Sequence, residues 1–167
     1  MNALELFNPG RKPQPRMVRR AGIRICGIMH FGLNTFSGRE WGYGDESPKL
    51  FNPASFDPDQ IAASCKAGGL DGLILVCKHH DGFCLWPTKT TAYSVAASPW
   101  RGGKEDFVGE MAAACRRAGL EVGFYVSPWD RHDARYGRPE YVTEVFREQL
   151  REVLGNYGSA FEVWFDG

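Results

Sequence analysis

The stretch Leu70–Phe83, LDGLILVCKHHDGF, constrains this chain more than any other. Leu73, Ile74, Leu75, Val76 and Cys77 form a continuous apolar run, too short for an ordinary helix and rich in strand formers. A run without alternation suits a strand buried on both faces, as in a parallel sheet. It ends abruptly in Lys78, His79, His80 and Asp81, followed by the turn-forming Gly82. Two imidazoles beside a carboxylate, at the carboxyl end of such a strand, are what the ligand-facing rim of an α/β protein carries. A strand cap in which His and Asp satisfy loop backbone groups would use the same residues, so the rest of the chain has to decide.

Three further segments repeat the pattern. Ile23–Met29 reads as a strand ending in His30, Glu121–Val126 as a strand ending in Ser127, and Phe161–Phe165 as a strand ending in Asp166. Helices are expected between them. Asp57-Pro58-Asp59-Gln60 is a start signal with Asp as N-cap, Pro in the first turn and Gln completing a capping box. That helix stops at Gly68-Gly69. Asp106–Ala118 carries apolar residues at helical spacing, and a third helix begins at Pro139, with Gly155 and Gly158 expected to break it. The order β-α-β-α-β-α-β implies a parallel sheet built of βαβ units.

The connections are lopsided. Helix-to-strand links are a few residues each, whereas the loops Leu33–Phe56 and Lys78–Lys104 both exceed 20 residues. Long loops inside a compact domain usually carry function. All four histidines and all five tryptophans fall in the loops or strand ends of that one face: His30, His79, His80, His132, Trp41, Trp86, Trp100, Trp129 and Trp164. Any single Trp is more often packing than ligand contact; the collective placement argues for a site.

Composition narrows the partners. With 20 basic and 20 acidic residues the formal net charge is zero, and no basic tract exceeds the pair Arg19–Arg20, which speaks against nucleic acid. No segment is long and apolar enough to span a membrane. The amino terminus is polar and Pro-rich, without the apolar core of a signal peptide, so a cytoplasmic location is expected. The five cysteines show no CxxC pair and are expected as free thiols.

Aromatic faces beside imidazoles and carboxylates suit a carbohydrate, because rings cover its C–H patches while polar groups bond its hydroxyls. An Asp in such a site can attack an anomeric carbon. A divalent metal held by His30, His79 or His80 with Asp130 or Asp166 is the competing chemistry. Adjacent histidines point in opposite directions on regular strand backbone, and the HxH or HxxxH spacing of metal sites is absent. Gly102-Gly103-Lys104 lacks the spacing of a phosphate loop. Ser127 sits in VSPW rather than in the GxSxG elbow that a nucleophilic serine uses.

The blocks MHFGLNTF, EWGYG, KHHDGFCLWPTKTTAYSV, GFYVSPWDRH and EVWFDG, in this order from Met29 to Gly167, resemble the α-L-fucosidases of glycoside hydrolase family 29. The form WFDG is more similar to the branch acting on α-1,3/1,4-linked fucose. The resemblance implies that Asp166 is the nucleophile of a retaining mechanism. It implies that His30, Glu40, Trp41, His79 and His80 grip the fucose hydroxyls, and that Tyr125 and Trp164 line the pocket near the anomeric centre. It also implies a fold: residues 1–22 as an amino-terminal arm and 23–167 as the first half of a (β/α)8 TIM barrel. That half would be α/β, with four parallel strands and intervening helices. No metal or cofactor is expected, and the partner is a fucosylated oligosaccharide or glycoconjugate.

The chain departs from the family pattern by ending after its fourth strand. The general acid/base, a carboxylate from the later half of the barrel, has no counterpart. An incomplete catalytic domain is therefore expected, inactive alone, with two unpaired sheet edges and an exposed apolar inner face. The alternatives are a catalytically inactive sugar-binding remnant and a metal-dependent barrel hydrolase.

Overall fold

A computed structural model describes residues 22–167. All but the last residue of the expected arm 1–22 lies outside them. The four strands are β1 (Cys26–Met29), β2 (Gly72–Lys78), β3 (Glu121–Val126) and β4 (Val163–Trp164), all parallel and in the order β1-β2-β3-β4. Between them lie α1 (Leu33–Ser37), α2 (Pro58–Ala67), α3 (Phe107–Arg117) and α4 (Arg147–Asn156). A π-helical segment, Tyr141–Phe146, leads directly into α4. Among the described residues no helix is long and apolar enough to cross a membrane, and all five cysteines are free.

Local chemistry explains the element ends. Asp57 caps α2 by accepting the Gln60 amide at 2.9 Å, and Asp106 caps α3 by accepting that of Gly109 at 2.9 Å. The reciprocal half of the expected capping box is not made, because the Gln60 side chain points forward and donates to Ser64 at 3.1 Å. Both helices end in the same way. Gly69 and Gly119 take positive φ, and the next amides, of Leu70 and Leu120, bond back to the Cys65 and Cys115 carbonyls at 3.1 and 2.9 Å. This six-to-one closure leads each chain straight into its strand.

Alternation sorts the sheet into two faces. Leu73, Leu75 and Cys77 of β2 join Val122, Phe124 and Val126 of β3 in the main core, against Val108, Met111 and Cys115 of α3 and Val153 of α4. The opposite face forms a second cluster of Ile23, Ile74, Val76, Tyr125 and Phe161. These five are buried, so that face is not the open apolar patch expected. The exposed large apolar side chains at the sheet belong to its edges: Ile25, Trp164 and Phe165.

Four sequence expectations need correction. β1 begins at Cys26 rather than at Ile23. β4 is two residues long, not Phe161–Phe165: Val163 and Trp164 pair in register with Phe124 and Tyr125 of β3, while Phe161 and Glu162 make single backbone bonds to Val122 and Phe124. The loop Leu33–Phe56 opens with the short helix α1. Gly155 lies inside α4, which runs on to Asn156, and Gly158, with positive φ, follows the end.

Candidate active site

Each strand delivers a polar residue to one rim. His30 follows β1, His79, His80 and Asp81 follow β2, Ser127 follows β3 and Asp166 follows β4. A cleft of about 540 Å³ opens there, lined by His30, Glu40, Trp41, His79, His80, Trp129 and Asp166. Of the eight residues the sequence analysis named, six line this cleft directly. Tyr125 is buried at its wall. Its ring stacks parallel to His79 with centroids 5.7 Å apart, and its hydroxyl donates to Asp166 Oδ2 at 3.0 Å. Trp164 is the exception: 43% exposed, it is not part of the lining.

His79 and His80 do not point apart. Their ring centroids are 4.3 Å apart and both line the cleft. The pairing of β2 with β3 slips between Val76 and Lys78, and the strand ends there, so alternation no longer governs the two imidazoles. The turn closes through Gly82 at φ +86°, with its amide on the His79 carbonyl at 3.1 Å. A Cβ at Gly82 would stand 2.3 Å from Asp130 Oδ1, so only glycine fits.

Burial, helped by the neighbouring His80 and His30, pushes His79 down to about 4, against the pull of Asp166. Burial likewise lowers His80. At neutral pH both present uncharged rings, suited to hydrogen bonding hydroxyls rather than to pairing with anions. Burial drives the Tyr125 phenol well above its ordinary range, and its bond to Asp166 adds to this. The hydroxyl therefore stays a donor to the carboxylate.

The long loops are held by groups that the sequence did not single out. Glu46, buried, accepts the Tyr43 and Gly44 amides at 2.8 and 2.9 Å and Arg39 at 2.9 Å. Burial alone would raise its carboxyl, but these donors hold it below the ordinary value. Arg131 donates to the Gly42 carbonyl at 2.6 Å and lies over Trp129 and Trp41, 4.5 and 5.8 Å from their ring centres. His132 donates through Nδ1 to the Gly44 carbonyl at 2.6 Å, while its ring stacks on Tyr93. The loop carrying Glu40 and Trp41 is thus tied to the loops after β2 and β3. Below the rim, Lys78 and Asp130 form a fully buried ion pair at 3.2 Å. Tyr141 completes it, accepting from Lys78 at 2.7 Å and donating to Asp130 at 3.2 Å.

The arrangement offers two carboxylates, Glu40 and the Asp166 held by a phenol, with three imidazoles and two indole faces, which is a set for gripping and attacking a sugar. Among the described residues no three His, Cys, Asp or Glu side chains stand together as a metal site. Ser127 does have a histidine within reach, His80 Nδ1 at 2.7 Å, yet it is fully buried and spends its proton on the Asp166 carbonyl at 2.9 Å. It is not placed as a nucleophile.

Comparison with known proteins bears on the family and the fold. The family model described as Alpha-L-fucosidase matches residues 19–167. Alpha-L-fucosidase 1 of Arabidopsis thaliana is 47% identical over 140 residues, covering 84% of this chain and 28% of that protein. The crystal structure of a glycoside hydrolase 29 family member from an unknown rumen bacterium superposes with a TM-score of 0.87 at 52% identity. It covers 93% of this chain and 28% of that one. The chain thus spans about a quarter of the length of these relatives.

Proposed function

The chain belongs to the α-L-fucosidases of glycoside hydrolase family 29, and from that premise we propose that it supplies the nucleophile half of a retaining active site for terminal α-L-fucose. The four strands are the first half of the (β/α)8 catalytic barrel of that family. The observation that carries the proposal is the Asp166 carboxylate, bonded by Tyr125 and sharing one cleft with His30, Glu40, Trp41, His79 and His80.

In this reading the sugar lies in the cleft with its C–H face on Trp41 and Trp129. The neutral imidazoles and Glu40 bond its hydroxyls, and Asp166 attacks the anomeric carbon from the face opposite the leaving oxygen. Tyr125 holds the attacking carboxylate in line. A second carboxylate, about 5–5.5 Å from the nucleophile in retaining enzymes, protonates the leaving oxygen and then activates water. We assign that role to the part of the relatives that this chain does not span. The substrate is a fucosylated oligosaccharide or glycoconjugate, and the WFDG form favours α-1,3 or α-1,4 linkage.

The test is hydrolysis of an aryl α-L-fucoside by a protein of full family length that carries these residues, followed by NMR of the first product. α-L-Fucose, and no turnover by the Asp166→Ala variant, is expected. β-L-Fucose as first product, or full activity without Asp166, would overturn the assignment.

A further inference from the structure

Ser127 has one proton and two lone pairs, and three neighbours claim them. The Asp166 backbone carbonyl, at 2.9 Å from Ser127 Oγ, can only accept and so takes the proton. The Trp129 amide, at 3.0 Å, can only donate and so occupies one lone pair. The third neighbour is His80 Nδ1 at 2.7 Å. With the hydroxyl proton already committed, a contact this short is favourable only if Nδ1 carries a hydrogen and donates it. The hydroxyl is then saturated, in a site from which water is excluded: Ser127 is 0% exposed.

We propose that Ser127 is a positioning residue of the sugar site: it fixes His80 as the Nδ1–H tautomer, so that unprotonated Nε2 faces the cleft and a sugar hydroxyl binds there as the donor. The consequence for the sugar rests on the reading of the cleft as a fucose site; the tautomer itself rests on geometry alone. The same oxygen ties the backbone of the nucleophile to that imidazole. One serine therefore sets the protonation pattern of a binding group and the placement of Asp166, through residues 47 and 39 positions away. The lowered proton affinity of His80 fits this, since a second ring proton would remove the acceptor. A hydroxyl that donates to His80 keeps its oxygen lone pairs for another donor. A ligand offering only an acceptor at this position, a methoxy or fluoro group in place of the hydroxyl, would be rejected.

The experiment is long-range 1H–15N correlation NMR of the imidazole rings in the uniformly labelled 167-residue chain at neutral pH, with His80 assigned by its loss in His80→Gln. The wild type is expected to show Nδ1 as the protonated, pyrrole-type nitrogen and Nε2 as the pyridine-type one. Ser127→Ala should exchange those roles, wholly or in part, while Ser127→Thr keeps the wild-type pattern. A serine that merely packs would leave the pattern unmoved on removal. Nε2–H in the wild type, or an unchanged pattern in Ser127→Ala, overturns the proposal; the wild-type spectrum decides even if the alanine variant does not fold. Addition of L-fucose to a protein of full family length that carries these residues separates the two readings. A shift confined to Nε2 supports the donor assignment. An Nδ1–H tautomer with no response to L-fucose overturns the sugar half alone.

Discussion

The Tyr125 hydroxyl donates to Asp166 Oδ2 at 3.0 Å, joining the buried wall of the site to its exposed carboxylate across two neighbouring strands. The registry Tyr125↔Trp164 puts Asp166 two residues beyond the last pair, where the chain has left the sheet but remains within reach of the phenol. A hydrogen bond to a charged acceptor contributes about 1.5–3 kcal/mol. If it orients the attack, its loss should appear in kcat. In a protein of full family length carrying these residues, Tyr125→Phe is expected to lower kcat on an aryl α-L-fucoside about 10- to 100-fold, with a smaller change in KM. An unaltered kcat would show that the phenol only packs.

His79 and Asp81 should pull the pH dependence of stability in opposite directions. His79 has its affinity lowered to about 4, chiefly by burial, so the unfolded chain binds the proton more readily. Stability from this group is present above the ordinary histidine value and is lost as pH falls towards 4. Asp81, almost fully buried, is raised to about 7, again by burial first. Its contribution is present below the ordinary carboxylate value and is lost as pH rises through 7. Asp81→Asn keeps the acceptor for the Phe83 amide, made at 3.1 Å, and removes the charge. It should raise the melting temperature at pH 8 by several degrees, raise it by less at pH 5, and leave it nearly unchanged below the ordinary carboxylate value. His79→Asn should flatten the fall between pH 6.5 and 4. Thermal unfolding across that range checks both, and a lower melting temperature for Asp81→Asn at pH 8 would count against the buried-charge argument.

Lys78 and Asp130 lock the β2 end to the loop after β3, and Asp130 also accepts the His132 and Asp133 amides at 3.0 and 2.9 Å. Asp130→Ala leaves a fully buried ammonium with Tyr141 as its remaining hydrogen-bond partner among the described residues, which should cost about 3–5 kcal/mol. Replacing both charges, as Lys78→Met with Asp130→Leu, removes the stranded cation and should recover part of that loss. Urea denaturation of the two variants decides it. A double variant no more stable than Asp130→Ala would locate the cost in the two lost amide bonds.

Much of this was legible in the sequence because it depends on near neighbours. β3 matches its expected limits because Gly119 and Ser127-Pro128 bracket a strand-forming segment interrupted by the single charge of Glu121. The caps at Asp57 and Asp106 depend on amides three residues away. What failed depends on distant partners. β4 is short because only Val163 and Trp164 stay in register with the six-residue β3, and a run such as FEVWF does not say how far that register holds. The two histidines share the cleft because the slip at Val76 and Lys78 ends the alternation, which no local pattern announces. Trp129, Glu46 and Ser127 take their roles from other loops. A local motif can suggest only the role of nucleophile for the serine.

Asp166 carries the sharpest test. Its side chain is exposed, with Tyr125 as its hydrogen-bond partner, so Asp166→Gly should leave the fold intact. In a protein of full family length the same change removes the nucleophile and should abolish turnover. The space left by the carboxylate lies on the side of the anomeric carbon opposite the leaving group, because a retaining enzyme attacks from there. Azide is small and nucleophilic enough to enter that space. Added to the glycine variant with an activated α-L-fucoside, it should restore cleavage of the leaving group in a single displacement, with inversion, to give β-L-fucosyl azide. A structural carboxylate would give no such rescue, since azide cannot replace a lost cap or salt bridge. The product is read by NMR from its anomeric coupling. An α-linked azide, or full activity of Asp166→Gly without azide, would place the nucleophile elsewhere.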